Sequence, residues 1–111
     1  MNDCIFCKIA NGEINSKKYY EDEDFFIIAD ISPKAKKHYL MIPKRHYKLI
    51  SDQTEQDKHI MVKMLTKLVE LQNELGLDGG YRIIINQDNN GGQEVPHLHI
   101  HVLGGEKLKN F

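Results

Sequence analysis

The run Pro96-His97-Leu98-His99-Ile100-His101-Val102-Leu103 constrains this chain more than any other stretch. Strict alternation of imidazole and aliphatic side chains has the period of a β-strand, in which successive side chains point to opposite faces. It predicts one strand with His97, His99 and His101 on a common face and Leu98, Ile100 and Val102 in the core. Three imidazoles on one face need a chemical reason, whereas an isolated one such as His59 reads as structural. A single shared metal does not supply that reason. Residues two apart on a strand lie roughly 6.5–7 Å apart, which puts His97 and His101 about 13 Å apart. Zinc holds each nitrogen at roughly 2 Å, so the three must divide their labour.

Cys4 and Cys7 are the only cysteines, spaced C-x-x-C. The spacing fits half of a metal site, a redox pair that opens a helix, or two unliganded thiols. The stretch Met1-Asn2-Asp3 carries no basic region and no apolar stretch. The expectation is therefore a cytoplasmic protein, in which a disulfide is disfavoured. No apolar run approaches the roughly 20 residues that span a bilayer, so no membrane partner is expected. Fifteen Lys and Arg against sixteen Asp and Glu give a net charge of -1. That balance gathers no nucleic acid by its field, and a nucleotide would have to enter a specific site. The run from Lys34 to Lys48 holds six basic residues and no acid, and reads as a solvated face or as the mouth of an anion site.

At 111 residues the chain fits one domain, 1–111, with a small core. A short helix is expected from Cys4 to about Asn11, stopped by Gly12, and strands over 17–21, 25–30 and 39–42. The longest helix is expected from Glu55 to Leu75, with Thr54 as N-cap and Gly76 as the stop. Its stripe Ile60, Met61, Met64, Leu65, Leu68, Leu71, Leu75 marks the buried side. A fourth strand over 81–87 and the histidine strand complete an α+β fold: a five-stranded antiparallel sheet with one long and one short helix.

The histidine run, taken with Ile5-Phe6-Cys7-Lys8-Ile9, Asp30-Ile31-Ser32-Pro33, Ile42-Pro43-Lys44-Arg45-His46, Asn86 and Gly91-Gly92-Gln93, resembles the sequence blocks of the histidine triad (HIT) superfamily, Hint branch, in the same order. The resemblance spans roughly residues 4 to 105. It implies a homodimer whose two sheets join into one of ten strands. It also implies hydrolysis of purine nucleoside 5′-phosphoramidates at the α-phosphate. The middle histidine, His99, would attack phosphorus, with His101, His38 and Asn86 completing the catalytic set. An attacking imidazole needs one bare nitrogen, so the other should donate to a fixed acceptor such as a main-chain carbonyl. His101 would bond the phosphate or pair with His99, and His38 would steady the arrangement.

The resemblance further implies that Asp30 takes the ribose hydroxyls and that Ile5, Phe6, Ile9 and Ile31 sandwich the base. Asn86, Gly92, Gln93 and Glu94, with His99 and His101, would surround the phosphate, glycine allowing close backbone approach. Relatives with an amino-terminal C-x-x-C hold structural zinc. Carried over, the ligands would be Cys4, Cys7, His46 and His97, a closed set that leaves His99 for chemistry. Position 94 departs from the eukaryotic pattern, which has Ser where this chain has Glu94. A carboxylate there would select an amine leaving group or donate a proton. Two other functions compete: dinucleoside polyphosphate hydrolysis, as in the related Fhit branch, and a nucleotide-binding scaffold with little turnover. Val102-Leu103 after His101 leans toward the Hint branch.

Overall fold

The aliphatic and aromatic runs at 25–28 and 39–42 form the middle of an antiparallel sheet. In the computed structural model, which describes residues 3–111, the elements are α1 (Ile5–Ala10), β1 (Tyr20–Glu21), β2 (Phe25–Ala29), β3 (Lys37–Pro43), a 3-10 turn (Ile50–Asp52), α2 (Glu55–Leu71), β4 (Tyr81–Ile84) and β5 (Ile100–Gly104). Met1 and Asn2, the start of the stretch inspected above for an export signal, lie outside the described residues. The sheet has five strands in the order β1-β2-β3-β5-β4, each pair antiparallel. The expected α+β class, with one long and one short helix, is what the chain adopts.

Period-two alternation gives the sheet two different faces. Phe25, Ile27, Tyr39, Met41, Ile100 and Val102 pack against Met64 and Leu68 of α2. On the opposite face Phe26, Ile28, Leu40 and Ile42 pack against Phe6 and Ile9 of α1. The register pairs His38 with Leu103 and Leu40 with His101, so both histidines lie on the α1 face. The long helix thus supports the sheet from behind, and the chemistry lies in front.

Helix α2 starts where Thr54 predicts. The Thr54 side chain accepts from the Asp57 N–H, and the Asp57 carboxylate accepts from the Thr54 N–H at 2.9 Å. The α-helix ends at Leu71, four residues short of expectation. The chain nevertheless keeps turning through Leu75, and Gly76 at φ 73° closes it. The Leu77 N–H bonds to the Gln72 carbonyl and the Gly76 N–H to the Asn73 carbonyl, the two bonds of a Schellman cap. Leu65, expected in the buried stripe, is on its exposed margin, and His59 is also exposed.

The strand limits differ from the sequence expectation in all five strands. β1 keeps only Tyr20–Glu21 of the expected 17–21, and β2 ends at Ala29. β3 runs longer, from Lys37 to Pro43, because β5 pairs with it as far as Lys37. β4 stops at Ile84 because its partner β5 begins only at Ile100. His97, Leu98 and His99 therefore precede the ladder. They are tied instead by the Leu98 N–H donating to the Tyr47 carbonyl at 2.7 Å. The alternation survives, with Leu98 buried as expected.

Candidate functional site

Four segments converge on the α1 face. Cys4 is the N-cap of α1, and Cys7 follows one turn later, so their sulfurs face the same way. His46 lies in the turn after Pro43 ends β3. That turn is held by Arg45, which donates Nε–H to Asp57 Oδ1 at 2.9 Å and so binds the first turn of α2. The guanidinium holds the Asp57 carboxyl down at about 2. His97 is wholly buried, and its Nε2 lies 2.7 Å from the Pro43 carbonyl.

A carbonyl only accepts, so neutral His97 carries its hydrogen on Nε2 and presents a bare Nδ1. That Nδ1 lies 3.3 Å from Cys4 Sγ, 3.7 Å from Cys7 Sγ and 3.2 Å from His46 Nδ1. Cys7 Sγ and His46 Nδ1 are 3.3 Å apart. A tetrahedral zinc ion with usual bond lengths separates its ligand atoms by about 3.3–3.7 Å. The four side chains therefore fit one ion by spacing and by donor chemistry. Burial, and then the Cys4 side chain, push the Cys7 thiol up to about 11, a tendency that a divalent cation reverses.

Two residues on, His99 has a different setting. Its Nδ1 lies 2.8 Å from the carbonyl of His97, which places the hydrogen on Nδ1 and leaves Nε2 bare. Phe6 meets the His97 ring edge-on at 5.7 Å and the His99 ring at 5.1 Å, fixing both planes. His101 does not pair with His99 by a hydrogen bond; the ring centroids are 5.0 Å apart. Its partner is His38, whose Nε2 lies 2.9 Å from His101 Nδ1. The Lys34 N–H donates to His38 Nδ1 at 3.1 Å, so His38 carries hydrogen on Nε2 and gives it to His101. His101 in turn keeps its hydrogen on Nε2. Burial lowers the proton affinity of both rings, that of His101 to about 4.

Asp30 closes this second cluster. Its Oδ1 accepts from the Ser32 N–H at 2.8 Å, and its Oδ2 lies 3.5 Å from His38 Nε2. Asp30, His38 and His101 lie close enough together to hold a cation. The Lys34 bond argues against one: with Nδ1 engaged, His38 has no second lone pair for a metal.

The remaining expected residues are placed less simply. The Asn86 amide donates to the Gly91 carbonyl at 2.8 Å, holding the glycine loop closed. A Cβ at Gly91 would collide with the Gln87 carbonyl, so this turn needs glycine. The N–H groups of Gly92 and Gln93 are engaged within the loop by Asn89 and Asp88 carbonyls. The Gln93 amide spans to Lys48 and Val95 carbonyls. Glu94 is exposed and lines a cavity of about 400 Å³ together with Asp3, Ile5, Val95, Pro96 and the sulfur and imidazole of Cys4 and His46. A larger cleft, about 640 Å³ between residues 76–82 and 105–108, holds none of the expected site residues.

Phe6 and Ile9 are core residues, whereas Ile5 is exposed and Ile31 is 96% exposed. The basic run is split: Lys44 pairs with Glu21, Arg45 with Asp57 and Lys48 with Asp88, leaving Lys34, Lys36 and Lys37 exposed. Three contributors carried no signal in the sequence. These are the carbonyls of Pro43 and His97 and the N–H of Lys34, backbone groups whose aim depends on the fold.

Known proteins share this architecture. A histidine triad protein from Clostridium difficile superposes with a TM-score of 0.93 at 44% identity, covering 100% of this chain and 97% of that one. A HIT family hydrolase from Legionella pneumophila gives 0.89 at 40% identity, covering 96% of each. A Zn-bound histidine triad family protein from Mycobacterium smegmatis gives 0.81 at 33% identity, covering 95% of this chain and 76% of that one. Residues 11–108 match the HIT domain family. With residues 11–108 matching the family model and its three alternating imidazoles on the α1 face, the chain belongs to the histidine triad family.

Proposed function

We propose that this protein is a nucleotide-binding hydrolase that cleaves purine nucleoside 5′-phosphoramidates through a nucleotidyl-histidine on His99. The observation that carries the reading is the His97 carbonyl 2.8 Å from His99 Nδ1. It keeps a bare Nε2 on a neutral ring, which is the form that attacks phosphorus. In the first step the Nε2–P bond forms and the P–N bond to the amine breaks; the departing nitrogen takes a proton from water, and the second step, which adds the oxygen of water to phosphorus, returns one to solvent. His101, with hydrogen on Nε2, is the donor to phosphate oxygen or leaving group, and His38 fixes its tautomer. Water then attacks the adduct, releasing the nucleotide and restoring His99. The similarity to a Legionella protein described as a HIT family hydrolase supports the reaction class.

In this reading Asp30 takes ribose hydroxyls, and exposed Ile5 and Ile31 flank the base above Phe6 and Ile9. Asn86, Gly92 and Gln93 shape the phosphate loop. Cys4, Cys7, His46 and His97 hold a structural zinc ion, a reading supported by their tetrahedral spacing and by the Zn-bound Mycobacterium relative. The ion supplies a cross-link between α1, the turn after β3 and the start of the histidine run.

A homodimer belongs to the same proposal. β4 is an edge strand, and Ile83 is 43% exposed although Tyr81 and Ile85 on the same side pack toward α2. Helix α2 leaves Val62 65% and Val69 58% exposed. An edge strand flanked by apolar surface suits a second copy of itself. Ile83→Glu should sediment as a monomer; an unchanged dimer would place the interface elsewhere.

The decisive experiment is a quenched reaction with adenosine phosphoramidate followed by mass spectrometry. An AMP adduct is expected on the peptide holding His99 and is expected to be absent from His99→Ala, with turnover lost. Release of AMP without an adduct in any slow variant would refute the covalent route. Cleavage of dinucleoside polyphosphates in preference to phosphoramidates would favour the alternative substrate.

A further inference from the structure

The hydrogen on His38 Nε2 goes to His101, and a carboxylate oxygen of Asp30 stands beside the same nitrogen as a charge contact, not as a second hydrogen bond. His101 Nδ1 is 2.9 Å away and Asp30 Oδ2 is 3.5 Å away. His38 cannot turn to favour either one, because the Lys34 N–H pins its Nδ1 and the side chain is only 1% exposed. Asp30 is equally fixed through Ser32. The carboxylate therefore pulls by its charge on a hydrogen that is already bonded to His101, in a rigid frame. Burial lowers the proton affinity of both rings, and the charge of Asp30 opposes that effect in both.

Resting on the reading of Asp30 as the ribose acceptor, we infer that ribose binding is coupled to chemistry: hydroxyls donating to Asp30 offset its charge, relieve its pull on the His38 hydrogen and so strengthen the His38–His101 bond. Asp30 is thus a positioning residue for His101 as well as a contact for sugar. A ribonucleotide tightens the His38–His101 bond and fixes hydrogen on His101 Nε2. A dideoxy sugar leaves the carboxylate pulling on His38 and the pair less ordered. The substrate class that gains is one with vicinal hydroxyls, and the gain falls in kcat rather than only in KM. One net hydrogen bond sets its size at about three- to tenfold.

The test uses the full chain labelled with 15N-histidine. Adenosine, which has no phosphate to turn over, should shift the imidazole nitrogens of His38 and His101. The 2′,3′-dideoxy nucleoside should perturb residues around the base while leaving those two rings where they were. With phosphoramidate substrates, loss of the hydroxyls should lower kcat about three- to tenfold in wild type, and Asp30→Asn should remove that difference. Equal ring shifts from both nucleosides, or a sugar effect confined to KM, would overturn the coupling while leaving the proposed hydrolase intact. Adenosine that moved no resonance at all would bring down both.

Discussion

His38, His97, His99 and His101 each have a tautomer set by a backbone group or by a neighbour so set, and that assignment separates their tasks. His97 and His99 each donate to a carbonyl, at 2.7 and 2.8 Å, yet they do so with opposite ring nitrogens. One bare nitrogen therefore faces the cysteines and the other faces away from its own peptide. The alternating sequence announced three histidines on one surface, but not which nitrogen each would expose. That information resides in Pro43, His97 and Lys34 main-chain atoms, which carry no residue code. Glu94 is the residue whose identity was legible and whose effect is most open to measurement. It lines the cavity beside Ile5 and Val95, and under the proposed function a carboxylate there would favour leaving groups with a positive charge. Glu94→Ser should lower kcat/KM for cationic amine leaving groups about tenfold relative to neutral ones. Equal effects on both classes, measured across an amine panel, would remove Glu94 from that role.

Among elements, the helices were more legible than the strand limits. Thr54 and Gly76 mark α2 by local chemistry, a side-chain cap and a positive φ, so sequence alone finds them. Strand ends depend on how far a partner runs: β4 stops at Ile84 because β5 starts at Ile100, which no local pattern reveals. The tie between Arg45 and Asp57 was also hidden, since residues twelve apart announce no pairing. It couples the first turn of α2 to the turn that presents His46. Asp57→Asn should destabilise the fold by about 2 kcal/mol, through the lost charge-assisted bonds and the weakened cap. Thermal unfolding would read the loss, and a zinc titration should show weaker binding. A variant with unaltered unfolding temperature would show that the cap alone suffices.

On the scale of the whole molecule, a small core is joined at one point by four side chains from three distant segments. On the proposed zinc reading, a chelator should lower the unfolding temperature of the zinc-loaded protein by at least about 10 °C, roughly 2–3 kcal/mol for a chain of this size. Calorimetry before and after restoring zinc would check it, and an unmoved transition would deny the site a structural role. Acid should act in two stages. Buried His38 and half-buried His101 have proton affinities below the usual 6.5, that of His101 at about 4. The unfolded chain binds protons at these positions first, so stability falls as pH drops from about 6.5 toward 4. Asp57, held at about 2, adds stability above its ordinary range that is lost only as pH falls from about 4 through 2. Unfolding temperatures at pH 7, 5 and 3 should therefore decline in two steps; a flat profile between 7 and 5 would contradict the burial of the pair.

The acceptor that orients His99 is a peptide oxygen, whereas the atom facing the cysteines belongs to an imidazole, and both come from position 97. Exchanging that imidazole for another side chain leaves the oxygen where it is. The proposed cross-link and the proposed reaction are thus independently editable: point changes that abolish the one leave in place the carbonyl that aims His99.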